Sequence, residues 1–174
     1  MTTLTSQVPA VTDWLVQACQ SSPQLGAATP AVNVFDGPQP PAATQSMESV
    51  LWVGANPADL GASAASATQD FPLLDKGRTR GENGTVDLAV QHWSGDTDIK
   101  THRDACAAMV GAVELLLRGL PADGGPGDLT MGGLVYWASV DGPFQWYPRQ
   151  VAQGALMLVT FSVTYYTRLT TGGS

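Results

Sequence analysis

Apolar and polar positions along this 174-residue chain follow two periods, one of helices and one of strands. Over residues 8–20, Val11, Trp14, Leu15 and Ala18 recur at helical spacing and Pro9 suits a first turn, which predicts a short amphipathic helix. Residues 21–31, built largely of Ser, Pro, Gly and Ala, read as a loop. Val32 to Phe35 reads as a short strand stopped by Asp36-Gly-Pro38, and Ser49 to Val53 as a second strand. Thr85 to Trp93 alternates strictly, with Val86, Leu88, Val90 and His92 on one face and Asp87, Ala89, Gln91 and Trp93 on the other. Asn83-Gly84 before it carries a turn or hairpin signal.

The longest helix is predicted over residues 98–118. Ser94 to Asp96 supply N-cap candidates, Asp98 and Asp104 lie near the positive end, and Arg118 lies near the negative end. Gly119 and Pro121 end it. Ala105, Ala108, Met109, Ala112, Leu115 and Leu116 form its main apolar stripe, which Cys106, Val110, Val113 and Leu117 widen to more than half the circumference. Covering one sheet face takes only about 100° of arc. The excess predicts burial on a second side, against the first helix or a neighbouring subunit.

After a Pro/Gly loop at 121–128, Leu134 to Val140 reads as a strand that Asp141-Gly-Pro143 turns into a short strand, Phe144 to Tyr147. Ala155 to Thr167 is the longest strand, with Met157, Val159, Phe161, Val163 and Tyr165 on its core face. Met109, Leu116, Val159 and Phe161 are expected to be buried together, and residues 170–174 to be a disordered tail. The order of elements predicts an α+β fold: one domain over residues 1–169, a mostly antiparallel sheet with a short N-terminal helix and one long helix packed on one face. The other face is left to solvent or to something outside the chain.

Residues 54–82 break the pattern. No period holds there, Gly61 to Ala67 is low in complexity, and Lys76, Arg78 and Arg80 cluster after it. Connections of this length are functional or disordered. The stretch is either a flexible surface loop or an arm, with Lys76, Arg78 and Arg80 as partner-contact residues, that orders on assembly.

Charge narrows the function. Charged residues make up 13% of the chain, against roughly 25% in ordinary soluble domains. Fifteen acidic and eight basic side chains give −7, which argues against binding driven by phosphate neutralisation and against adsorption to an anionic membrane. The apolar runs fall short of the ~20 residues of a membrane span, and the first residues carry no signal-peptide pattern. Cys19 and Cys106 form no zinc or disulfide pattern and read as buried thiols of a protein folded in a reducing cytoplasm.

Candidate chemistry is sparse. No G-x-S-x-G elbow is present. His92 reads as a satisfied, partly buried strand residue and His102 as a surface residue in the first turns of the long helix. Cys106, four residues after His102, begins a metal site that nothing completes. Asp96, Asp98 and Asp104 fit helix capping and lack the calcium-loop pattern. The Gly124-Gly-Pro-Gly127 run lacks the Lys-Ser/Thr ending of a phosphate loop. No catalytic, cofactor or metal site is expected.

The order of elements resembles the tail terminator (tail completion) proteins of long-tailed phages, especially those of high-GC actinobacterial hosts. The resemblance rests on Val34-Phe-Asp-Gly-Pro38, on the strand and long helix over 85–118, and on a closing module. That module runs Asp141-Gly-Pro143, Tyr147-Pro-Arg-Gln150, Gln153-Gly-Ala155 and Val163-Thr-Tyr-Tyr166. It covers about residues 5–169, with 54–81 outside the family pattern. It implies a structural virion protein that forms a ring, usually sixfold, at the head-proximal end of the tail tube. Such a ring stops tube polymerisation and joins the tail to the head–tail connector. Its partners are then other copies of itself, the tail tube protein and the connector or stopper protein. DNA passes through the channel without specific binding, and no membrane is involved. Two alternatives remain: a connector or stopper subunit of the same neck, and, in a different class, a small cytoplasmic ligand-binding or enzymatic α+β domain.

Overall fold

A computed structural model describes residues 6–28, 30–40, 44, 46–59, 63–70, 79–118 and 128–170. Helix α1 (Val8–Gln20) and a single turn, α2 (Pro23–Gly26), precede strands β1 (Asn33–Asp36), β2 (Ser49–Val53), β3 (Ala65–Asp70) and β4 (Thr79–Ser94). Helix α3 (Ile99–Arg118) then leads to β5 (Trp137–Val151) and β6 (Gly154–Thr170). The fold is α+β, with the short N-terminal helix, the long helix and the mostly antiparallel sheet that the pattern predicts.

The sheet order is β1-β2-β4-β6-β5, and only the β1–β2 pair is parallel. Strand β4 organises the rest. Along one edge it pairs with β6 over its full length, from Thr79 opposite Thr170 to Ser94 opposite Ala155. Its other edge is shared: β2 takes Leu88 to His92 and β3 takes Gly81 to Val86. Between them Gly54 N–H donates to the Asp87 carbonyl and Asp87 N–H donates to the Ala64 carbonyl, so the chain leaves and rejoins β4 around one residue.

Val86, Leu88 and Val90 of β4 and Met157, Val159, Phe161, Val163 and Tyr165 of β6 are buried under α1 and α3, as the alternation predicts. A smaller cluster, Val50, Trp52, Ala55, Ala89 and Leu158, forms on the opposite face. That face, expected to be left to solvent or to something outside the chain, is covered in part by the chain itself through Met47, Ala55 and Ala58.

Several expectations change. Residues 54–82 are not simply a loop, because they carry β3 and the first residues of β4. Asn83-Gly84 is not a turn but lies inside β4, paired on both sides. Gly84 is there because the Tyr165 ring crosses the strand: a Cβ at position 84 would lie 2.1 Å from Tyr165 Cζ. The tyrosine hydroxyl then reaches Glu82, a fully buried carboxylate. Asp141-Gly-Pro143 does not end a strand either. It is a bulge within one strand, β5, whose register to β6 shifts between Asp141 and Gln145.

The core stripe of α3 is rotated from the predicted one. His102, Cys106, Met109, Val110, Val113 and Leu117 are buried, while Leu116 is half-buried and Ala108 is exposed. Thr170 pairs with Thr79 rather than opening a tail, and 171–174 lie outside the described residues.

Candidate functional site

Two flanks of the sheet carry the unusual residues. The first is β5, fifteen residues long and paired only with β6 among the described residues. An unpaired edge of that length is a ready template for another chain, and soluble proteins usually blunt such edges. β5 carries two prolines, Pro143 and Pro148, and the bulge before Gln145, and beside them exposed aromatics: Trp137, Phe144 and Trp146 are 44%, 44% and 40% exposed, and Tyr136 just before the strand is 60% exposed. Tyr136 stacks on Tyr166 at 6.0 Å and Phe144 on Phe161 at 6.1 Å, which holds two of these rings in place while leaving them accessible. Five aromatic side chains within residues 136–147 were the visible signal of this flank in the sequence.

The other flank is formed by β1 and β3. Strand β3 is built of Ala, Ser, Thr, Gln and Asp, with most side chains exposed. Of the basic group assigned to partner contact, Lys76 and Arg78 lie outside the described residues. Arg80 is in β4, half-buried and opposite Leu169.

Beside this flank, on the helix-bearing face, lies a cavity of about 340 Å³. Ala105, Ala108 and Ala112 of α3 form one wall, with Pro30, Ser49 and His92 across from them. His102 corrects the surface assignment: it is fully buried, and its Nδ1 lies 2.8 Å from Nδ1 of His92. It lies on the stripe 102-106-109-113-117, at spacings of four, three, four and four, one of the two that the apolar pattern of the helix admits and the one that is buried.

The tautomers follow from the surroundings. The Asp96 carbonyl 3.0 Å from His102 Nε2 can only accept, so Nε2 carries the proton. In this tautomer of His102 Nδ1 accepts, and His92 Nδ1 donates to it. Burial and the neighbouring His102 hold the His92 pKa below its ordinary value, partly offset by Glu48, so the His92 ring is neutral at pH 7. Neither ring hydrogen-bonds a carboxylate that would orient it as a catalytic base. Burial pushes the Cys19 and Cys106 thiols up to about 12, which leaves them protonated and poor nucleophiles. Among the described residues no three His, Cys, Asp or Glu side chains group as metal ligands, and no helix is long and apolar enough to cross a membrane.

The geometry thus puts exposed aromatic side chains on the β5 flank and a polar strand, β3, on the opposite one, with a His-lined cavity beside the latter. The chain matches no protein-family model and no curated protein.

Proposed function

We propose that this protein is the tail terminator of a long-tailed phage: a structural subunit that closes into a ring, sixfold by the family resemblance, on the head-proximal end of the tail tube. There it halts tube polymerisation and presents a surface to the head–tail connector. The observation that carries this reading is the long, aromatic-bearing edge of β5 set against a differently built flank of β1 and β3. A ring requires a heterologous contact, in which two unlike patches of one subunit meet around an axis. A subunit whose two sheet flanks differ in this way has the parts for one.

Strand direction is compatible with it. Strands β3, β4, β6 and β5 alternate in sense across the sheet, so β3 and β5 run oppositely. Subunits placed side by side in one orientation would therefore bring β5 of one and β3 of the next together antiparallel, the pairing that edge recognition uses. Lys76, Arg78 and Arg80 follow β3 in the chain and would steer an approaching acidic neighbour. Six copies at −7 carry about −42 in all, a net charge that repels DNA phosphate rather than holding it.

The test is tube growth in vitro. Purified tube protein extended in the presence of this chain should stop at reduced length, with the chain retained at one end of each tube. Tubes of unchanged length with no bound chain would refute the reading.

A further inference from the structure

We infer that Trp146 of one copy seats in the His92 cavity of the next copy, with the indole N–H donating to His92 Nε2. This rests on the ring reading above and deepens it by naming the contact that closes the ring.

The acceptor is defined by the histidine pair. With Nδ1 of His92 committed to His102, the neutral ring leaves Nε2 as a bare lone pair. His92 is 8% exposed and lines the cavity, and its Nε2 makes no hydrogen bond to a described residue. A ring nitrogen so placed beside a cavity calls for a donor mounted on a flat apolar body. The cavity, about 340 Å³, falls within the range of specific binding sites and is larger than an indole. It exists because α3 presents Ala105, Ala108 and Ala112 there, where any larger side chain would fill the space.

The donor is defined by register. Trp146 pairs with Val159, Val159 with Val90, and Val90 with Leu51, whereas His92 pairs with Met157 and Ser49. Directly opposed residues share a face, so Trp146 projects on the helix-bearing side, the same side as His92. Its height along the strands differs from that of His92 by two residues, about 7 Å. The sheet order puts the two on opposite flanks, Trp146 on β5 and the cavity beside β2 and the segment before β1. Side-by-side subunits in one orientation therefore bring Trp146 of one copy to the cavity of the next at nearly the same height. Trp137 does not fit this role, because its partner Tyr166 belongs to the other face, alternating with the core residue Tyr165. Phe144 carries no donor.

Two variants of the full chain separate the halves of the contact. Trp146→Ala removes the inserted side chain and keeps the cavity; Ala108→Trp fills the cavity and keeps Trp146. Both positions are exposed, and circular dichroism should show wild-type melting for each. In sedimentation velocity, at a concentration where the wild type is a ring, each variant alone should sediment as a monomer. Mixed in equal amounts they should form one-to-one dimers and nothing larger, because each pair has a single competent contact. Trp146→Phe keeps the bulk and loses the donor, and should require about five- to tenfold more protein to assemble.

Wild-type rings together with Trp146→Ala rings at the same concentration would overturn the contact while leaving the ring reading intact. So would a mixture that stays monomeric, or free indole that binds the wild-type monomer without Trp146→Ala affecting assembly, which would assign the cavity to a small ligand. A wild type that forms no ring, alone or on tubes, would overturn the ring reading and this contact with it.

Discussion

Replacing Glu82 by alanine should cost about 3–5 kcal/mol, more than any single apolar truncation outside the core centre. Glu82 is fully buried and has no ion-pair partner among the described residues. Its charge is held by hydrogen bonds instead. Oε1 accepts from Ser6 Oγ at 3.1 Å, from the Gln7 N–H at 2.8 Å and from Tyr165 hydroxyl at 2.8 Å, and Oε2 accepts from Gln69 Nε2 at 2.6 Å. These four donors come from the segment before α1, from β3 and from β6, so one carboxylate ties three parts of the fold to β4. Burial pushes its pKa up, but the bonds from Gln69, Gln7, Tyr165 and Ser6 outweigh burial and hold it below the ordinary value.

In the alanine variant the Tyr165 hydroxyl is stranded among buried groups, at about 1–3 kcal/mol. The other three donors are half-buried and regain water, losing together on the order of 2 kcal/mol. For a chain of this size the sum lowers Tm by roughly 10 °C. Urea unfolding followed by circular dichroism at pH 7 measures it directly.

The pH dependence has a fixed sign. A carboxyl whose folded pKa lies below its unfolded value, about 4.3, contributes fully above that value and loses its contribution as pH falls through the folded one. The gap between wild type and Glu82→Ala should therefore be constant above about pH 5 and narrow in stronger acid. A gap under about 0.5 kcal/mol at pH 7, or one unchanged in acid, would refute the reasoning.

Gly84→Ala should destabilise by at least about 2 kcal/mol, since the new methyl collides with the Tyr165 ring; an unchanged urea midpoint would contradict that packing. Leu117→Ala should cost about 2–5 kcal/mol and Leu116→Ala distinctly less, because Leu117 is fully buried and Leu116 is not; equal losses would contradict the helix orientation. Neither cysteine should react with a thiol reagent at pH 8 until the protein unfolds, and stoichiometric labelling of the native protein would contradict their burial.

What was legible in the sequence was the part written in apolar periodicity. Helices α1 and α3 and the inward faces of β4 and β6 follow from alternation and capping, and strand β2, buried on both faces, from its apolar run between turn signals. Strand β3 has no dry side, so Ala-Ser-Ala-Thr-Gln-Asp carries no alternation and its identity comes from pairing with β4. Asn83-Gly84 has the composition of a turn, but the glycine serves a tyrosine eighty-one positions later in the chain. Such a requirement is invisible locally. The bulge at Asp141-Gly-Pro143 reads the same as a strand end, since both need a break in the ladder. His102 was misplaced because the wide apolar surface of α3 admits two stripes. Only the neighbouring His92 on β4 decides which one faces inward.

The central claim, a ring on the end of a tail tube, is tested most directly by electron microscopy of tail tubes saturated with this protein. The account predicts added density at one tube end only, averaging to a closed ring, sixfold by the family resemblance, with the β5 flank of each copy against the β1–β3 flank of the next. Bare tube ends at saturating protein, or copies joined through two identical flanks, would contradict it.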